Sequence, residues 1–144
     1  MTDIVERAGG CLCGAVRFRA RHGGEVSLCH CSMCRRATGG PLFAVLCDGE
    51  AQFEEGSPVG VYHSSEQGER GFCQQCGSSL YFHHRGENFY AFTAGSFDDQ
   101  GPMVLTSQIF IDDKPGFYAL ANDTPRYRKG PKSRASGEGE QPAG

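Results

Sequence analysis

The sequence predicts an all-β domain, and three observations support this prediction. Residues 14–20 alternate strictly, so that Val16 and Phe18 would face a core while arginines at the alternate positions face water. Gly, Pro, Asp and Ser separate such short apolar segments at close intervals, which is typical of β-domains. No segment carries a sustained 3.6-residue apolar period, so we expect at most a short helix, just after Cys31.

The remaining strand candidates follow one another along the chain. They are residues 41–47, 60–63, 80–83, 89–93 and 107–111. The first of them is a continuous apolar run, which favours a strand buried on both faces. The chain has 144 residues, only 38% of them hydrophobic, and 21 glycines. This composition predicts one domain with a small core that needs disulfides or bound metal ions to stabilise it.

The chain divides into a lead-in over residues 1–8, a domain over 9–127 and a polar tail over 128–144 that we expect to be disordered. A formal net charge of −3 gives no reason to expect nucleic acid or an anionic membrane as a partner. No apolar run reaches the length of a membrane span, and no signal peptide is evident. We therefore expect a cytoplasmic protein with reduced thiols.

Seven of the eight cysteines fall into three tight clusters, at positions 11 and 13, at positions 29, 31 and 34, and at positions 73 and 76. Zinc binds up to four thiolates at roughly 2.3 Å, and the close spacing favours metal ligation over disulfides. Seven ligands suit one closed site of four and one site of three with an open position. Closed zinc sites are typically structural and open ones catalytic, so we predict two zinc ions with different roles.

Cys73 and Cys76 have the spacing of a zinc knuckle, and Gly77 after them permits the tight turn that points backbone amides at sulfur. Cys11 and Cys13, also followed by glycine, resemble a second half of the same kind. The two pairs together predict a four-sulfur structural site that joins the two ends of the core.

Cys29, Cys31 and Cys34 form the remaining cluster. Three thiolates within six residues can hold one zinc ion and leave its fourth position to water or substrate, so we predict a catalytic site here. The spacing leaves open that His30, Cys47 or a distant histidine closes the site as a second structural one. It also leaves open a pairing of the first cysteine pair with Cys29 and Cys31.

Other candidate residues have simpler interpretations. Cys47 lies in an apolar run and is expected to be buried in the core. The two arginines that follow Cys34, Arg35 and Arg36, could neutralise thiolate charge, hold a substrate carboxylate or simply be solvated. Three histidines on strand candidates are expected to be surface or hydrogen-bonded residues rather than ligands: His63, His83 and His84.

At these cysteines the chain resembles the glutathione-dependent formaldehyde-activating enzyme (GFA) family, which also includes centromere protein V. The resemblance covers about residues 9–127. The stretches that carry it are residues 9–18, 29–36, 71–78, 95–97 and 109–115.

The resemblance implies a β-tent fold of antiparallel sheets, with a structural zinc at Cys11, Cys13, Cys73 and Cys76 and a second zinc at the other cluster. It also implies condensation of formaldehyde with glutathione to S-hydroxymethylglutathione, classed as a carbon–sulfur lyase in the reverse sense. We therefore expect an enzyme that acts on a small thiol, such as glutathione, or on a thiol–aldehyde adduct. The alternatives are a zinc-stabilised interaction module without catalysis and a zinc-dependent chaperone or exchange factor.

Overall fold

The computed structural model describes residues 3–130, which form a mostly antiparallel β-sheet with few helices. The strands are β1 (Val5–Gly10), β2 (Arg17–His22), β3 (Glu25–Cys29), β4 (Leu42–Phe53), β5 (Val59–Tyr62), β6 (Gly68–Cys73), β7 (Ser79–His84), β8 (Phe89–Thr93) and β9 (Val104–Ile109). One α-helix, α1 (Ser32–Thr38), follows Cys31 as expected, and two 3₁₀ turns occupy Ala94–Ser96 and Ile111–Asp113. In the part of the chain that the structure describes, no helix is long and apolar enough to cross a membrane.

Strand β4 organises the sheet because different parts of its twelve residues pair with different strands. Its end pairs with β2, which continues to β1, while its first half lies between β3 and β8. From β8 the order continues through β7 and β6 to β5. All of these pairs are antiparallel, as expected, whereas β9 runs parallel to β3, so the sheet is mostly antiparallel.

The main core lies against one face of β4. Val16 and Phe18 are buried, as the alternation of residues 14–20 predicts, and the Phe18 ring centroid lies 4.3 Å from that of Phe92. Val45 and Cys47 belong to the same core, so the interpretation of Cys47 as a core residue agrees with its burial.

The opposite face of β4 covers a second, smaller cluster. Leu42 and Ala44 pack there with Cys29 and Cys34. The expected burial of residues 41–47 on both faces holds only in part, because Phe43 and Leu46 remain 46% and 38% exposed. The strand therefore separates the aromatic core from the cluster that contains two of the predicted metal ligands.

Strands β1, β3 and β6 have no counterpart among the predicted elements. Strand β1 replaces much of the expected lead-in, since its backbone pairs with β2 along its whole length. Strand β6 contains Gly71, where a Cβ atom would lie 2.1 Å from the ring of Tyr81, so glycine permits the close pairing with β7. Residues 131–144 of the expected tail lie outside the described residues, while Lys129 accepts a backbone hydrogen bond from Phe110.

Candidate metal centres

The first cysteine group brings together two distant turns. The sulfur atoms of Cys11, Cys13, Cys73 and Cys76 all lie within 4.8 Å of one another. The Cys11–Cys13 and Cys13–Cys73 sulfur distances are 3.5 and 3.8 Å. Four sulfurs at roughly 2.3 Å from a central ion would be separated by about 3.8 Å, so this arrangement fits a tetrahedral metal site.

Both turns have the backbone conformation that the glycines predict. Gly14 and Gly77, each directly after a cysteine pair, have positive φ angles of 83° and 79°. These turns direct amide groups at sulfur: Val16 N–H donates to Cys11 Sγ at 3.2 Å, and Cys76 N–H donates to Cys73 Sγ at 3.4 Å. Such donors are the outer contacts that orient metal-binding thiolates.

The hydroxyl group of Ser78 adds a further contact to this group. It lies 3.1 Å from Cys76 Sγ, and this hydrogen bond is the main reason that the pKa of Cys76 falls to about 5. The same hydroxyl accepts a hydrogen bond from the backbone N–H of Leu12 at 3.0 Å, across the two turns. Cys13 is exposed and the Leu12 side chain between the first two cysteines is 90% exposed, so this group lies at the surface.

The second cysteine group lies where β3 leads into α1. Cys29 ends β3, Cys31 is the N-cap of α1 and accepts a hydrogen bond from Cys34 N–H at 3.3 Å. The three sulfur atoms lie within 4.8 Å of one another. Cys29 and Cys34 are buried whereas Cys31 is partly exposed, so the group reaches solvent at Cys31.

The three thiols of the second group influence one another strongly. Hydrogen bonds from Cys29 and Cys34 lower the pKa of Cys31, whereas hydrogen bonding to Cys31 and Cys34, together with burial, raises the pKa of Cys29. Three thiolates this close would repel one another. The donor set therefore suits a soft cation such as zinc, which would compensate all three charges.

None of the other candidate ligands joins this group among residues 3–130. His30 is fully buried, with Nδ1 at 2.6 Å from the Tyr118 hydroxyl and Nε2 at 2.9 Å from the Gln108 side-chain oxygen. Both ring nitrogens of His30 therefore have partners within the protein. Cys47 lies in the main core, on the other side of β4.

The three histidines on strands also have other partners. His83 Nδ1 and His63 Nε2 lie 2.8 and 3.4 Å from the two carboxylate oxygens of Glu69. His84 Nδ1 accepts a hydrogen bond from Glu87 N–H at 3.0 Å. These contacts match the interpretation of the three as surface or hydrogen-bonded residues.

An arginine that the sequence did not indicate contacts the second group. Arg70 of β6 donates from Nη2 to Cys34 Sγ at 3.6 Å. Arg35, by contrast, donates from Nε to the backbone oxygen of His30 at 2.9 Å, and Arg36 is exposed. Thirty-six positions separate Cys34 from its arginine partner, and only the pairing of β6 with β7 brings the two together.

A cleft of about 240 Å³ lies beside the second group. Arg70 lines it, as does Leu42, which also packs with Cys29 and Cys34. The rest of the wall includes Thr38 at the end of α1 and Ser79, Tyr81 and Thr93 of the facing strands, together with Gly77, which follows Cys76 of the first group. A small molecule in this cleft would meet Arg70, whose guanidinium in turn contacts Cys34.

The sequence of this chain matches a known family. Residues 6–113 match the family described as glutathione-dependent formaldehyde-activating enzyme, GFA. The chain belongs to this family. The resemblance predicted from the three cysteine motifs is thereby confirmed.

Individual relatives of this GFA-family chain agree with the assignment. An uncharacterised lyase of Schizosaccharomyces pombe is 37% identical over 123 residues, which cover 84% of this chain and 90% of that protein. A Halomonas elongata protein, provisionally named a glutathione-dependent formaldehyde-activating enzyme, is 35% identical over 83 residues, 51% of this chain and 53% of its own. The crystal structure of a Rhodobacter sphaeroides protein shares the fold, with a TM-score of 0.55 and 22% identity over 63% of this chain and 87% of that one.

Proposed function

We propose that this GFA-family protein is a zinc-dependent, carbon–sulfur lyase-type enzyme that acts on a small thiol or on a thiol–aldehyde adduct of the S-hydroxymethylglutathione type. One observation supports this most directly. The second cysteine group offers three thiols, and among the described residues no fourth Cys, His, Asp or Glu joins them. Arg70, which contacts Cys34, connects this group to a neighbouring cleft. Three protein ligands with one position open to substrate are typical of catalytic zinc.

In this proposal the two groups have separate roles. Cys11, Cys13, Cys73 and Cys76 hold a structural zinc that staples a β-tent fold. Cys29, Cys31 and Cys34 hold the second zinc, and Cys31 lies nearest to solvent. A zinc ion at the second group supplies a position where a substrate thiol is stabilised as thiolate, the form that adds to an aldehyde carbon.

The chain's own residues then prepare the reaction. The three cysteines fix the place of the substrate sulfur, and the cleft wall formed by α1, β7 and β8 excludes part of the water around it. The Arg70 guanidinium, at 3.6 Å from Cys34 Sγ, offsets part of the thiolate charge. We also propose a cytoplasmic location, where thiol substrates stay reduced.

Replacing Cys31 tests the proposal, because it removes one of three ligands and leaves the other group intact. We expect Cys31→Ser to fold, to hold about one zinc ion rather than two, and to lose thiol-dependent lyase activity. The matched control is Met33→Ala, a change at an exposed residue of the same segment. Elemental analysis and product formation from formaldehyde with a panel of thiols provide the measurements.

Cobalt substitution of the wild type gives a second, independent measurement. If the site is open, adding glutathione or another thiol should change the visible absorption of cobalt in the second group, because a sulfur donor joins the three cysteines. A spectrum that already reports four protein ligands and that no thiol alters would contradict the proposal. The interaction-module interpretation would then take its place.

A further inference from the structure

We propose that Arg70 makes the cleft selective for thiols that carry a carboxylate group, and so acts as a specificity-determining residue. The inference rests on the proposed function, in which the substrate sulfur lies at the second cysteine group. The inference adds that the substrate carries a carboxylate group besides its thiol, and that Arg70 recognises this carboxylate.

The position of Arg70 supports this role. Its Nη2 lies 3.6 Å from Cys34 Sγ, and the residue also lines the cleft. A substrate whose sulfur lies beside Cys34 would therefore have its neighbouring atoms within reach of the guanidinium. Arg70 is partly buried, which strengthens its attraction for an anion relative to an exposed arginine.

Within residues 3–130, the charge of Arg70 has no carboxylate partner. None of the ion pairs formed among residues 3–130 includes Arg70. Its contacts are the Cys34 sulfur and the ring of Phe82, whose centroid lies 5.2 Å from the guanidinium carbon. A guanidinium has five N–H donors in a planar fork, so one contact to sulfur leaves donors for a bidentate carboxylate.

The rest of the cleft contains no competing charge. Arg70 is the one charged residue among those that line it in the described part of the chain. Three hydroxyl groups on the wall already donate their hydrogens to backbone oxygens: Thr38 to Cys34, Ser79 to Ala37, and Thr93 to Ser79. These hydroxyls therefore present acceptor lone pairs to a ligand, and the guanidinium is the cationic donor that an anionic group would meet.

Two thiols of matched length test the selectivity. We would titrate 3-mercaptopropionate and its uncharged counterpart 3-mercapto-1-propanol into the cobalt-substituted protein and determine both dissociation constants from visible absorption. We expect the wild type to bind the carboxylate about 10-fold to 100-fold more tightly, as is typical of a hydrogen-bonded charge pair. Equal affinities in the wild type would overturn the inference without any variant.

The variant Arg70→Gln should weaken binding of 3-mercaptopropionate about 10-fold or more beyond its effect on 3-mercapto-1-propanol, because the neutral thiol loses only the offset of thiolate charge whereas the carboxylate also loses its partner. Arg36→Gln, on the exposed side of α1, is the matched control and should keep the wild-type preference. If Arg70→Gln weakens both thiols equally, the residue only offsets thiolate charge and the inference is wrong. If the wild type binds neither thiol, both the inference and the proposed function are wrong.

Discussion

The two cysteine groups differ in what holds each together apart from sulfur. The four-cysteine group connects two turns far apart in sequence. Apart from contacts made by the sulfur atoms, the hydrogen bond from Leu12 N–H to Ser78 Oγ crosses between those turns. The three-cysteine group lies in a single segment that continues into α1. That segment is anchored by the buried ring of His30, which binds Tyr118 and Gln108.

This difference separates a structural from a catalytic role better than burial does. The group with an exposed member, Cys13, is the one we propose as structural, while Cys29 and Cys34 of the proposed catalytic group are buried. A metal ion contributes most to folding where it replaces missing contacts between distant segments. Where protein contacts already anchor the cysteine segment, a bound ion is not needed for folding and can instead bind substrate.

Among the variants that test this difference between the groups, we expect Cys76→Ser to have the largest effect on stability. This change removes one sulfur of the four-cysteine group, where the proposed metal ion would join residues 11–13 to residues 73–76. A structural zinc contributes on the order of 10 kcal/mol, against a net stability of about 5–15 kcal/mol. We expect the variant to be insoluble or largely unfolded, as measured by circular dichroism and thermal denaturation.

Cys47→Ala is the control, because Cys47 is a cysteine of the core that belongs to neither group. Its loss should cost only about 1 kcal/mol, the range of a small cavity in the core. If Cys76→Ser melts at the wild-type temperature, the four-cysteine group does not hold the fold together, and the contrast between the groups is wrong.

Local spacing marks the individual cysteine clusters, but it leaves open which clusters come together. Each cysteine pair of the first group lies within one turn, and the glycines after them adopt the expected positive φ angles. Alternation likewise identified the buried positions Val16 and Phe18. Signals of this kind depend only on neighbours within a few residues, so they can be read without the fold.

The features that were missed depend on pairing between distant segments. Strand β6 has two glycines and little apolar alternation, and it becomes a strand because β5 and β7 supply its hydrogen bonds. The same pairing brings Arg70 to Cys34, and β9 brings Gln108 to His30. No local pattern marks these partners, so both the cleft and the anchoring of His30 appear only in three dimensions.

A smaller effect is expected from His30→Ala, which removes the anchor of the three-cysteine segment. The change leaves Gln108 and the Tyr118 hydroxyl without their buried partner and opens a cavity, at a cost of about 3 kcal/mol. We expect a melting temperature lower by on the order of 10 °C, and weaker binding of the second metal with an unchanged all-sulfur cobalt spectrum.

Tyr118→Phe provides the graded control, because it removes only one hydroxyl of this network. Its cost should be about 1 kcal/mol. A cobalt spectrum of the wild type that loses a nitrogen donor in His30→Ala would show that His30 is a ligand, against the hydrogen bonds that occupy both of its ring nitrogens. An unchanged melting temperature would show that the segment does not depend on this anchor.

The smallest effect on the fold should come from removing the second metal alone by mild chelation. Three protein ligands hold an ion less tightly than four, and Cys31 gives a chelator access from solvent. We expect the ion of the three-cysteine group to leave first, with little change in circular dichroism and a fall in melting temperature on the order of a few degrees, since His30 and α1 still hold the segment. Thiol-induced changes in absorption should disappear at this step. Removal of the ion from the four-cysteine group should then unfold the protein. Simultaneous release of both ions, or unfolding upon loss of the first, would mean that the two groups do not have the separate roles proposed for them.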